Sequence, residues 1–294
     1  MEEIRRLINA WAKAFIKINI KVTDKMDGEE KRKAQIGSAT AKGGFQNERD
    51  IASKFNSWKS DPDAQKWLET MDYKIKDIDY VKAIVLSGFK TDVQVQIKLI
   101  IHTSNGICIE NLSIKKANIN SDYNQLDKRW VDKYQELWRF SDSIAKSLKK
   151  FTGELSPIDL LNKKIISEQQ YNNLRDKRRF FLDELSTEEQ NEILEFFKEN
   201  KILVITDLFK GRDKFAPTYM MVTRYDNRNN VTDWILTPIN IAMNFFGSGD
   251  IVISKQGNLH IGKITMQRKG GDAGRETAQM LQFKIKPNLL FSLL

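Results

Sequence analysis

The sequence predicts a mixed α+β fold, and three observations carry the prediction. Two apolar strands, Asp92–Ile101 and Ile107–Lys115, are joined by the polar turn His102-Thr103-Ser104-Asn105-Gly106. Asn-Gly supplies the positive φ that tight hairpins need. Stretches with apolar residues three and four apart, the signature of amphipathic helices, precede and follow this pair. Further short β-type runs gather after residue 218, so strands lie near both ends of the core.

In order, residues 3–20 set Ile4, Leu7, Ile8, Trp11, Phe15 and Ile18 on one helical face, with Arg5, Arg6, Lys13 and Lys17 opposite. Such a basic amphipathic helix covers its own domain, pairs with a second copy or lies on a membrane. Thr23–Lys33 reads as a linker. A helix from about Phe45 to Trp58 buries Phe45, Ile51, Phe55 and Trp58, and Asp61-Pro62 starts another with a capping acid and a first-turn proline. Val81–Leu86 reads as a buried strand and Ser87–Thr91 as a bend into Asp92. Helix is expected from about Leu126 to Phe151, a break at Gly153 and Pro157, and a loop over Asn162–Arg175. Ser186-Thr187-Glu188-Glu189 opens a helix running to about Asn200. Ile202–Thr206, Tyr219–Arg224, Thr232–Leu236, Ile251–Ser254 and Leu259–Met266 read as strands, with a short helix at Asn240–Phe246. The expected organisation is a 1–36 extension, a 37–150 half and a 151–294 half of one compact unit.

The 48 Lys and Arg outnumber the 39 Asp and Glu, giving +9, which suits a polyanionic partner. Cys108 is the single cysteine, which excludes an intramolecular disulfide and a cysteine zinc site. Its apolar strand suggests a small core residue. His102 and His260 are the only histidines, which argues against histidine-rich metal chemistry. No run of about 18 apolar residues and no signal-like leader occurs, so the cytoplasm is the expected compartment and no membrane the expectation.

The hairpin carries the chemistry. Folded about residues 103–104, it sets Asp92 opposite Ile114 and Lys115, with Ser113 and Lys115 leaving one face together. An acid, a hydroxyl and an amine then converge at one end of the pair. Spacing alone equally describes a solvated sheet edge. The near P-loop Gly257–Ile264 has Ile264 where Ser or Thr would ligate Mg²⁺, so nucleotide hydrolysis is rejected.

Longer motifs add to this. Gly37-Ser38-Ala39-Thr40-Ala41-Lys42-Gly43-Gly44-Phe45-Gln46-Asn47-Glu48-Arg49-Asp50 opens the core. Met266-Gln267-Arg268-Lys269-Gly270-Gly271-Asp272-Ala273-Gly274-Arg275-Glu276 through Lys284 nearly closes the chain. With Leu86–Asp92, Asn124–Lys128, Phe151–Leu155 and Gly247–Ile251, they resemble the HinPI-type restriction endonucleases, cutters of GCGC and relatives of MspI. The likeness runs from about Gly37 to Phe291. It implies a PD-(D/E)XK core, a central mixed β-sheet flanked by helices, and a type II site-specific deoxyribonuclease using Mg²⁺, with Mn²⁺ as a substitute. Asp92 matches the metal-binding acid and Lys115 the catalytic lysine. Ser113 stands where the family has glutamine, and Glu48 matches an acid able to reach the same site. Asp92, Ile114 and Glu48 are the expected metal contacts.

For DNA, the resemblance implies contacts from Gln125, which matches a glutamine that inserts into the base stack, and from Gln267, Arg268, Lys269, Arg275 and Glu276. Arg and Lys suit guanine O6 and N7, and an acceptor suits cytosine. Gly270, Gly271 and Gly274 allow close backbone approach. Lys149, Lys150, Arg175, Lys177, Arg178 and Arg179 are phosphate candidates, though singly each reads as exposed charge. The expected partners are double-stranded DNA and, functionally, a cognate DNA methyltransferase. A palindrome calls for a homodimer cutting both strands or a monomer acting twice. Ser113 keeps open a catalytically weak DNA-binding protein, and a structure-selective repair nuclease is the third reading.

Overall fold

The computed structural model describes residues 46–86, 96–104, 106–118, 123–212, 215–225, 231–271 and 275–294. The expected helix at 3–20, Asp92 and Gly274 lie outside the described residues.

Two five-stranded sheets organise the chain. The first runs β1 (Ile78–Leu86), β2 (Gln96–Thr103), β3 (Gly106–Asn118), β5 (Tyr219–Tyr225), β6 (Val231–Pro238). It is mixed, since β3 and β5 are parallel and the other pairs antiparallel. The second is antiparallel throughout, in the order β4 (Asn124–Arg129), β10 (Leu281–Ile285), β9 (Ile264–Arg268), β8 (Leu259–Ile261), β7 (Ile251–Ile253).

Strand alternation sends the two faces of the first sheet into different cores. Val81, Ala83, Ile101, Leu112, Ile114, Met221 and Leu236 pack against Ile51 and Phe55 of helix α1 (46–56) and Trp67 and Leu68 of α2 (Pro62–Thr70). Asp61 caps α2 as expected, accepting from the Asp63 and Ala64 amides. On the other face Ala117, Met220, Val222 and Ile235 join a larger core. It holds the second sheet's Met266, Leu281 and Phe283 and the aromatics Tyr134, Trp138 and Phe151. Ser113 and Lys115 alternate with Leu112 and Ile114, so they face this second layer.

Several expectations are corrected. The stretch 126–151 is not one helix: β4 comes first, then α3 (Val131–Trp138) and α4 (Asp142–Thr152). Arg139, left-handed at φ 62, ends α3, and Ser141 caps α4; an unbroken apolar spacing hid both. Ile202–Thr206 is helical, within α8 (Lys201–Lys210), because packing of Val204, Ile205, Leu208 and Phe209 overrides β-branched propensity. The expected 162–175 loop contains α6 (Glu168–Asn173), opened by a Ser167–Gln170 capping box, after α5 (Pro157–Asn162). Val81–Leu86 is buried on one face only. Cys108 is exposed. Leu259–Met266 is two strands, reversed where Gly262 adopts φ 58, and this hairpin is also why the near P-loop forms none. Ser186 caps α7 (Thr187–Glu199) reciprocally with Glu189, as expected, and α9 spans Ile239–Gly247. Among the described residues no helix is long and apolar enough to cross a membrane.

Candidate active site and nucleic-acid interface

The β2–β3 hairpin turns one residue later than expected. Thr103 pairs with Gly106, whose φ of 136 suits glycine alone, and Gln96 faces Ser113. Each β2 residue therefore opposes a β3 residue two places further along, and Lys115 lies past the described end of that ladder. On its other edge β3 runs beside β5, with Lys115 level with Val222.

Ser113 and Lys115 are almost fully buried, at 1% and 6% exposure. The Lys115 Nζ donates to the Gln125 carbonyl oxygen at 2.9 Å, fixing the amine against β4. Burial pushes its pKa down to about 8, although Glu48 and Asp127 pull it back up. The Ile114 side chain belongs to the smaller core, so only its backbone is left to meet a ligand.

Glu48 arrives from α1. Its neighbour Asn47 accepts hydrogen bonds from Thr223 Oγ1 and Tyr225 Oη, which pins this end of the helix to β5. Glu48 is 4% exposed, and its Oε2 has no hydrogen-bond partner among the described residues. Burial pushes its pKa up to about 7, against the downward pull of Lys115 and Arg49. An unsatisfied buried carboxyl is costly and marks a position kept for something other than stability.

These residues fit a divalent cation. Glu48 brings an uncompensated oxygen, Ser113 a hydroxyl and Ile114 a carbonyl, all hard donors of the kind Mg²⁺ takes while keeping several waters. Among the described residues no three His, Cys, Asp or Glu gather as a metal cluster.

Asp127 received no role from the sequence, yet it is a buried anchor. It accepts from the Lys128 amide, Arg129 Nε and Tyr134 Oη, and acts electrostatically on Lys115. Its place in a short Asn-Gln-Leu-Asp-Lys motif was the available signal. Gln125, a loop residue by sequence, lies in β4. Its Oε1 accepts from Gln282 Nε2 at 2.6 Å, and its own Nε2 is buried without a partner among the described residues. The residue expected in the DNA stack and the expected catalytic lysine are thus tied together through one peptide group.

Gln267 and Arg268 end β9, half-buried. Beyond them the Lys269 amide donates to the Met280 carbonyl and the Gly270 amide to the Ala278 carbonyl, extending the β9–β10 ladder. Gly270 and Gly271 then both take φ 62. Arg275 and Glu276 are exposed across this loop, where a 3₁₀ turn begins. The structure therefore brings Gln267, Arg268, Lys269, Arg275 and Glu276 into one segment, distinct from the Glu48, Ser113 and Lys115 group. Most phosphate candidates are engaged elsewhere. Lys149 pairs with Asp132, Lys150 with Glu189, Arg175 with Asp183 and Glu184, and Arg178 with Asp176.

The site is thus framed by a mixed sheet with a buried lysine on β3, a buried acid beside it on α1, and helices packed on the sheet's outer face. The structure is similar to the restriction endonuclease MspI in complex with its cognate DNA, with a TM-score of 0.52 and 14% identity over 92% of this chain and 97% of that one. Comparison with curated proteins gives no match. The model of the R.HinP1I restriction endonuclease family matches residues 71–291, and the chain belongs to that family. It is a type II, site-specific nuclease.

Proposed function

We propose that the protein makes Mg²⁺-dependent double-strand cuts in duplex DNA at a short palindrome, GCGC or a site containing it. The observation that carries the active-site reading is Glu48 and Lys115, an acid and a lysine buried together with the acid's Oε2 unsatisfied. Asp92, Glu48 and the Ile114 backbone would hold the metal, and Ser113 would contribute through a water. When bound, the metal supplies Lewis acidity toward the phosphoryl oxygen and lowers the pKa of a water. Lys115, immobilised on the Gln125 carbonyl, orients the attacking water and stabilises charge building on the scissile phosphate. Little water reaches its ammonium, so the charge acts at low dielectric. No covalent nucleophile is needed.

Gln125 enters the base stack, while Gln267, Arg268, Lys269, Arg275 and Glu276 contact bases and phosphates. The likeness to a nuclease bound to its cognate DNA supports duplex DNA as the partner. Mn²⁺ substitutes for Mg²⁺, and a cognate methyltransferase protects the same site in the host. The test is digestion of plasmid DNA with Mg²⁺ followed by sequencing of the ends. GCGC at every cut is expected, and Asp92→Ala and Lys115→Ala should each abolish cutting while retaining specific binding. Cuts at sites lacking GCGC would overturn the specificity, and near-parental cutting by either variant the site assignment.

A further inference from the structure

One cationic group is left incompletely matched by the protein's own acids. Arg179 is held between two rings, its guanidinium 4.0 Å from the Phe181 centroid and 5.3 Å from that of Phe151. Its side chain is 13% exposed, and its Nη1 is buried with no hydrogen-bond partner among the described residues. Asp176 is its only ion-pair partner among the described residues, at 3.7 Å. That carboxylate already accepts from the Arg178 backbone amide, Nε and Nη2.

Arg268, at the end of β9, is near enough to repel Arg179 electrostatically. Its Nε donates to the Ala278 carbonyl at 3.1 Å, and no ion pair to it is formed among the described residues. Burial first, and then repulsion from Arg268, presses the Arg179 pKa down to about 10, which leaves it charged at neutral pH. Burial and Arg178 lower that of Arg268. Three guanidiniums thus act on the Asp176 carboxylate, and Glu184 adds only a weaker pull on Arg179.

The chain goes to some length to hold this arrangement. Gly153, at φ 87, lets the Arg178 carbonyl approach so closely that an added Cβ would lie 2.6 Å from it. The Phe180 amide donates to the Lys150 carbonyl at 3.0 Å, which docks the arginine segment on the end of α4. Rigid like charges with an unused, buried N–H are unfavourable by themselves and complementary to an anion. A guanine edge carries only partial charge, whereas a phosphodiester carries a full one.

We propose that Arg179 and Arg268 form a two-arginine seat for one phosphodiester group of bound DNA, flanking the 267–276 segment and sensing charge rather than base sequence. The inference rests on the DNA-cleaving function above, and it moves Arg268 from base reading to backbone contact.

The test uses the full chain in EDTA, so that no cutting occurs. Binding of a GCGC duplex and of a scrambled duplex is followed across salt concentrations. Arg179→Met, which keeps the apolar stem between the two rings, should weaken both duplexes by the same factor, about tenfold. It should also reduce the slope of log affinity against log salt by about 0.9. Arg268→Gln should do the same, and the double variant should lose no more slope than either single one, since one phosphate is shared. Without DNA, Arg179→Met should melt no lower than the parent, and inorganic phosphate should raise the melting temperature of the parent only. Loss confined to the GCGC duplex would overturn the proposal, as would unchanged binding or a lowered melting temperature without phosphate. If the parent binds neither duplex while phosphate stabilises it alone, the seat stands and the DNA reading falls.

Discussion

Replacing Glu48 with glutamine should stabilise the protein above neutral pH while impairing cleavage. Glu48 is 4% exposed, and its carboxyl moves from an ordinary 4.5 to about 7, chiefly through burial. A raised folded-state pKa means that the neutral form's contribution is fully present below about pH 4.5. It is lost as pH rises through about 7. This displacement, which already contains the pull of Lys115, corresponds to at most about 3 kcal/mol at high pH. Lys115 does not blur the window: its pKa is lowered, so its own contribution falls as pH drops through about 8 and is flat between 5 and 7. Thermal unfolding in EDTA at pH 5, 6, 7 and 8 reads the difference. At pH 5 the two proteins should melt nearly together, and at pH 8 the variant should melt higher by about 2–4 °C per kcal/mol. A variant less stable at pH 8, or a difference that ignores pH, would refute the argument that burial of an uncompensated charge dominates here.

Other perturbations separate chemistry from scaffold. Ser113→Ala should retain substantial Mg²⁺-dependent cleavage in a plasmid assay if the hydroxyl acts only through a water; a loss as complete as that of Asp92→Ala would assign it a direct role. Lys269→Ala and Arg275→Ala should each blur preference at one base pair, at about 1–3 kcal/mol for a bidentate contact to guanine, measured by end-mapping of digests. Gly262→Ala should cost ~2–4 kcal/mol in denaturant unfolding, because φ is 58 and the added carbon would meet the Ser248 and Gly247 carbonyls at 2.5 and 2.7 Å.

The sequence made the local devices legible where one residue type does one job. The Asp61 cap and the Ser186–Glu189 capping box could be read because the backbone geometry demands those side chains at those positions, and the hairpin could be read from Gly106, whose φ is 136. Recognition of the family supplied Glu48, which no spacing rule would have joined to a strand more than sixty residues away. What failed was the tertiary part. The helix at 201–210 has a β-branched sequence and is helical because of what it packs on, and β4 exists because β10 pairs with it. Asp127 and Gln282 were visible only as members of motifs, since their roles come from contacts across sheets.

The same physical sign marks both candidate sites. A protein selected for stability alone would neutralise Glu48 with a hydrogen bond and would not leave Arg179 and Arg268 repelling each other. Each group is held by neighbours that serve no such charge: Asn47 on Thr223 and Tyr225 beside the acid, Phe151 and Phe181 around the arginine. At one end the missing charge is positive and at the other negative. The proposed metal ion would supply the first and the proposed phosphodiester contact the second, which would leave the unliganded protein with two electrostatic deficits of opposite sign. Removing either by a neutral isostere should therefore raise or preserve stability and lower function, a pairing of effects that core residues such as Phe55 or Phe283 would not produce.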